Sequence, residues 1–171
     1  MDRRDFLKTV AVSGAAMTIQ RSEAMEILTQ AVNSTGKPDL VAVMGDEPEL
    51  MFQRAIAELG GMKQFVKSGQ KVVVKPNIGW DKVPELAGNT NPKLVAEIVK
   101  QCFAAGAKEV TVFDHTCDDW QKCYKNSGIE SAAKAAGAKV MPAHLESYYR
   151  PVDLSKGKNM KKAKIHEAIL N

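Results

Sequence analysis

At 171 residues, with 44% hydrophobic and 26% charged side chains, the chain has the size and make-up of one compact domain plus a short extension, which excludes a large multidomain machine and a disordered chain. A formal charge of +4 is too small for a dedicated nucleic-acid surface, and no run approaches the roughly 18 apolar residues that cross a bilayer. Three cysteines, Cys102, Cys117 and Cys123, are too few for a disulfide framework, and their spacing fits no zinc or iron–sulfur motif.

The N-terminal segment Asp2-Arg3-Arg4-Asp5-Phe6-Leu7-Lys8 places positive charge ahead of a mildly apolar run over 9–17. Paired arginines before Phe-Leu-Lys resemble the bacterial twin-arginine export signal. The resemblance implies recognition by the twin-arginine translocase and a periplasmic or otherwise exported protein. Cleavage is expected after Ala24, with a retained anchor as the alternative outcome. That pathway carries folded proteins, so a bound cofactor, of unspecified identity, is also an expectation. Residues 25–38 read as a linker or short helix, leaving 39–171 as the folded domain.

After Pro38, the apolar run 39–45 predicts a buried strand. Asp46 as N-cap, Pro48 in the first turn and Glu49 at the capping-box position then start a helix. Leu50, Met51, Ala55, Ile56 and Leu59 form its apolar face, and Gly60-Gly61 stop it. Val72-Val73-Val74, within a strand over 71–75, predicts a central parallel strand covered on both faces, ended by Pro76. A polar loop of about fifteen residues, 77–91, is long enough to suggest function or disorder; Trp80 within it has the shape to cover a ligand or to pack on the sheet edge.

Asn91 as N-cap and Pro92 at N1 start the next helix, whose apolar face of Leu94, Val95, Ile98, Val99, Cys102 and Phe103 puts Cys102 in the core. Gly106 closes it, and a strand over 108–113 delivers Asp114-His115 to its carboxyl end. Helices over 118–125 and 129–136, the latter stopped by Gly137, and a strand over 138–141 complete a repeated strand–helix alternation. The expected fold class is therefore α/β: a mostly parallel open sheet with flanking helices. Beyond Pro142, 147–154 and 160–165 predict a hairpin across Ser155-Lys156-Gly157-Lys158-Asn159, and 165–170 reads as the start of a helix. An end inside a helical pattern predicts an incomplete domain. The lysines at 156, 158, 161, 162 and 164, without interleaved aromatics, read as a solvated hairpin.

Ligands of open parallel sheets bind beyond the carboxyl ends of the strands. Two groups of candidates fall there. Lys75 and Asn77 after one strand, with Thr90 and Asn91 at the following helix start, offer an ammonium, amides and helical N–H groups for a phosphate or carboxylate. The same residues equally suit a strand stop, a turn and a helix cap. Asp114, His115 and Cys117 combine carboxylate, imidazole and thiol, suited to acid/base work by Asp114 and His115 or to weak metal ligation by all three. Loop and capping roles for Asp118 and Asp119 are the plainer alternative, and no regular ligand spacing supports a metal. His144 and His166 stand alone and read as structural. In an oxidising compartment Cys117 and Cys123 become candidates for a disulfide, although a helix starting between them opposes the close Cα approach a disulfide needs.

The combination Val72-Val73-Val74-Lys75-Pro76-Asn77, then Thr90-Asn91-Pro92, then Gly106 through Asp114 (G-A-x-x-V-x-x-x-D) resembles domain-of-unknown-function family 362, over roughly Leu40 to the C-terminus. The resemblance implies that Lys75, Asn77, Thr90 and Asp114 matter, with roles unassigned. It also implies a domain that continues past residue 171 and, through some family members, an association with ferredoxin-type iron–sulfur chemistry and a redox partner. No four-cysteine motif occurs here, so a cluster would have to come from another segment or protein. Two functional classes follow: an exported protein associated with iron–sulfur redox chemistry, or a non-redox enzyme or binding protein gripping an anionic small molecule.

Overall fold

Runs of β-branched residues become strands only where a neighbour satisfies their backbone, and two such runs and one shorter segment find one another here. The computed structural model describes residues 38–170. The expected export signal and nearly all of the linker over 25–38 lie outside the described residues. In chain order the elements are α1 (Pro48–Glu58), β1 (Lys71–Val74), α2 (Pro92–Ala104), β2 (Glu109–Val112), α3 (Trp120–Asn126), α4 (Ile129–Ala135) and β3 (Lys139–Val140). A hairpin, β4 (Tyr149–Asp153) and β5 (Lys162–His166), and a short helix, α5 (Glu167–Leu170), follow.

The first three strands form a parallel sheet in the order β1-β2-β3, with Val72 opposite Val110, Val74 opposite Val112, and Val112 opposite Val140. Parallel neighbours cannot be joined by a tight turn, so helices cross between them. α2 links β1 to β2, and α3 with α4 links β2 to β3. The strand period of two sends Val72, Val74, Val110, Val112 and Val140 to one face, where they meet Val95, Val99 and Cys102 of α2 and Ile129 and Ala133 of α4. Burying each of the larger of these side chains contributes about 1.5–3 kcal/mol. Cys102 sits in this core, as the helical spacing of its face requires. The one carboxylate buried on α2, Glu97, accepts hydrogen bonds from Gln53 Nε2 and Gln101 Nε2, both at 2.9 Å.

The α/β class, the parallel sheet and the hairpin agree with the sequence pattern, while three details differ. The run 39–45 makes no ladder with any of the described strands, and Leu40 and Met44 are exposed; a short apolar run without a hydrogen-bonding neighbour among them does not make a strand. Among the described residues β1 is an edge rather than the central strand: Val72 to Val74 are half-buried, whereas Val110, Thr111 and Val112 of β2 are buried. α1 is preceded by Glu47 rather than Asp46 and has no side-chain cap, because Pro48 at its first position supplies the start without one. Asn91 does cap α2, its Oδ1 accepting the Lys93 N–H at 2.9 Å. No helix among the described residues is long and apolar enough to cross a membrane.

Gly106 makes the turn from α2 to β2 at φ 104°, with Ser68 Cα 3.1 Å from where a Cβ would stand. Both the backbone conformation and the contact exclude a side chain. Gly106→Ala is expected to cost more than about 1 kcal/mol, read as a lower urea midpoint with an unchanged slope.

Candidate functional site

Strands β1 and β2 end side by side, so the residues that follow them emerge together at the carboxyl edge of the sheet. Lys75 follows β1 and Asp114 lies just beyond β2; their side chains form an ion pair between Nζ and Oδ1. The partners differ in setting, the lysine side chain being 60% exposed and the aspartate side chain only 6%. A carboxylate out of water needs donors as well as a counter-charge. Asp114 Oδ2 accepts the Ile78 N–H at 2.7 Å, which ties the start of the 77–91 loop to the end of β2.

The backbone of Asp114 is held as firmly as its side chain. Its N–H donates to the Tyr124 hydroxyl at 2.8 Å, and that hydroxyl faces the carbonyls of Asp114 and Met141 at 2.9 and 3.0 Å. One buried phenol on α3 thus links the exits of β2 and β3. Burial, reinforced by the Asp114 charge, pushes the Tyr124 hydroxyl up to about 12, against an opposing hydrogen bond from the Asp114 backbone. Sequence analysis missed Tyr124. The available signal was its place beside Cys123 on the inward face of α3, a face whose target only the folded chain reveals.

The remaining predicted residues separate into loop builders and cleft walls. Asn77 and Thr90 bond to each other, Asn77 N–H to Thr90 Oγ1 at 2.9 Å and Thr90 N–H to Asn77 O at 3.0 Å. The Asn77 side chain also donates to Gly88 O and accepts from Gly79 N–H. With Asn91 Oδ1 occupied as the cap of α2, the side-chain oxygens of these three residues all have partners within the chain. Trp80 belongs to the same loop, its backbone clamped by the Asn89 side chain and its ring part-exposed.

His115 instead turns toward Tyr149 of β4, with ring centroids 6.3 Å apart. These two, with His144, Leu145, Glu146 and Lys164, line a cleft of about 280 Å³ beside the strand ends. Tyr149 feels both charges of the pair: burial and Asp114 raise its hydroxyl, and Lys75 opposes them. His144 stacks on Trp120 with centroids 4.6 Å apart and its Nδ1 buried without a partner. His166 lies outside the cleft as a structural group, stacked on Phe113 and bonded to Pro142 O and the Ala168 N–H. The hairpin had looked like a solvated appendage from its lysines; in the fold its Tyr149 and Lys164 help wall the cleft.

The cysteines do not make an iron–sulfur ligand set. Cys102 and Cys123 are buried and Cys117 is exposed, burial raising the first two thiols, and among the described residues no three His, Cys, Asp or Glu side chains gather as ligands. Asp114, His115 and Cys117 accordingly do not converge on a metal position: the carboxylate faces Lys75, the imidazole faces Tyr149, and the Cys117 backbone N–H is bonded to Gly79 O.

Residues 72–171 match the family described as a domain of unknown function, DUF362. No curated protein and no solved structure matches the chain.

Raising the Tyr124 hydroxyl from 10 to about 12 means that the folded state holds its proton more tightly than the unfolded chain. Stability from this group is therefore complete below about pH 10 and is lost as pH climbs toward about 12. Urea midpoints should fall more steeply over that window in the wild type than in Tyr124→Phe. At neutral pH the variant should be weaker by about 1–3 kcal/mol, because the Asp114 N–H loses its buried acceptor.

Proposed function

We propose that this chain, which belongs to the DUF362 family, is an exported protein that grips a small anionic molecule, a carboxylate or phosphate, at the carboxyl ends of its parallel strands. The observation that carries the reading is the asymmetry of the Lys75–Asp114 pair: a nearly buried carboxylate holding a largely exposed ammonium at the sheet edge. Asp114 occupies one donor of that ammonium and fixes its position, and the others remain on the solvent side. A charge-assisted hydrogen bond from such a group to an anion contributes about 1.5–3 kcal/mol.

Because Asp114 offsets part of the lysine charge, Lys75 alone is a weak anion site, and further donors are needed. His115 is the donor that the adjoining cleft offers, since the Tyr149 hydroxyl there donates to Ala143 O at 3.0 Å, and the cleft's volume of about 280 Å³ suits a small molecule. Asn77, Thr90 and Asn91 act one step back in this reading. They hold the loop and the start of α2, and their substitution would act through the position of Ile78, and with it Asp114, rather than by removing a ligand contact. The iron–sulfur association implied by the family resemblance would draw its cluster from another segment or protein and stands beside this reading; the Lys75–Asp114 pair at the sheet edge is what favours anion binding.

Calorimetric titration of the full chain with inorganic phosphate, acetate and citrate tests the site. At least one anion should bind, and Lys75→Gln should weaken it about tenfold or more, near 1.4 kcal/mol, with partial recovery in Lys75→Arg. Equal affinity in Lys75→Gln, or no binding of any of the three, would refute the reading. Export is tested separately by fractionating cells that express Arg3→Lys/Arg4→Lys. The variant should stay inside the cytoplasmic membrane while the wild type crosses it.

A further inference from the structure

Three donors converge on one backbone carbonyl beside the site. Gly79 O accepts the Cys117 N–H at 2.8 Å, the Asp118 N–H at 3.1 Å and the Cys123 thiol at 3.6 Å. The Cys117 sulfur lies against the same residue, 3.7 Å from where a Cβ on Gly79 would stand. Cys117 belongs to the irregular connection after β2, and Cys123 is the fourth residue of α3, with Asp119 as N-cap between them. The helix that separates these two cysteines in sequence thus begins with its first turn folded back onto the connection, so both thiols flank Gly79.

We propose that Cys117 and Cys123 form a thiol–disulfide couple, in which exposed Cys117 meets the oxidant and buried Cys123 resolves it. Exposure sets the order: Cys117 is open to solvent, whereas Cys123 is fully buried. Burial also raises the Cys123 thiol, which keeps it protonated until a sulfur electrophile stands next to it. The oxidant is a disulfide of a small thiol, written RSSR. Cys117 loses its proton to solvent and its thiolate attacks one sulfur of RSSR; the S–S bond breaks, RS⁻ leaves and a Cys117–SR mixed disulfide forms. Cys123 then gives its proton to the departing RS⁻ as its sulfur attacks the Cys117 sulfur and breaks the mixed disulfide, while the first RS⁻ takes up the proton that Cys117 gave to solvent. Two protein thiols give up two electrons and two protons, and one RSSR becomes two RSH.

Closing the bond needs the Cys117 side chain to turn about its Cα–Cβ bond toward α3 and the connection to draw in. That connection lies outside any helix or strand, and the movement has to keep or exchange the Cys117 and Asp118 N–H bonds to Gly79 O that hold it beside α3. The product ties the segment that begins at Asp114 and His115 to the first turn of α3. Cys102 has no part in this, since it is enclosed by the sheet and α2. The couple stands apart from the anion-binding reading, because among the described residues neither cysteine makes a hydrogen bond to Lys75 or Asp114.

The test uses the full chain treated with oxidised glutathione and digested with trypsin without reduction. Cleavage after Lys122 separates Cys117 from Cys123, so their peptides travel together only if a disulfide joins them. The expected result is that joined pair in the wild type, a glutathione adduct retained on Cys117 in Cys123→Ser, and an unmodified Cys123 in folded Cys117→Ser. A glutathione adduct on wild-type Cys117 as abundant as in Cys123→Ser would overturn the proposal, as would thiols left unmodified at both positions or a bridge to Cys102. The wild-type digestion decides the matter even if a variant fails to fold.

Discussion

Asp114 leaves β2 with its carboxylate nearly out of water, and a buried negative charge persists only with a counter-charge and hydrogen-bond donors in place. Lys75 from the end of β1 provides the first and the Ile78 N–H provides a donor. The main chain of the same residue is gripped by the Tyr124 hydroxyl, which also reaches Met141 after β3. One residue therefore joins three strand exits, a long loop and a helix. Removing its charge would leave Lys75 free to wander and Ile78 without an acceptor, so the position of the exposed ammonium is a consequence of the buried carboxylate it touches.

The loop over 77–91 shows how a polar segment can be ordered with no more regular structure than one 3-10 turn, Pro84–Leu86. Its side chains serve its own backbone: Asn77 with Thr90, Gly88 and Gly79, and Asn89 with Trp80 and Lys82. Asp81 adds an outward link, its N–H to the Asp118 carboxylate and its own carboxylate to Asn126. Such closure explains why residues with attractive ligand chemistry act here as scaffolding. Each polar atom engaged internally, the Tyr149 hydroxyl on Ala143 O included, is one fewer available to a guest, which concentrates the chemistry on the groups left facing outward, chiefly Lys75 and His115.

Much of this was legible in the chain itself. The helical face from Leu94 to Phe103 placed Cys102 in the core, Asn91-Pro92 marked the start of α2, Gly106 and Gly137 marked helix ends, and the lysine-rich turn between 147–154 and 160–165 marked the hairpin. Lys75 and Asp114 were identifiable because strand ends of a parallel sheet collect chemistry, and the fold pairs them. The misreadings share one cause. Among the described residues, 39–45 have strand composition without a strand partner, and β1 has a core-like run at a sheet edge; both depend on what lies alongside, which periodicity does not encode.

By itself, then, the sequence determined the α/β alternation, the limits of most helices and the residues at the strand exits, because caps, glycine turns and apolar spacing act over a few neighbouring residues. Tertiary structure alone decided that Asp114 is buried while Lys75 is open, that Tyr124 joins two strand ends, that hairpin residues wall the cleft, and that Cys117 and Cys123 meet at Gly79. Those outcomes rest on burial and hydrogen bonds between residues far apart in the chain, up to 44 positions for Cys123 and Gly79, and such pairings exist only once the layers have packed.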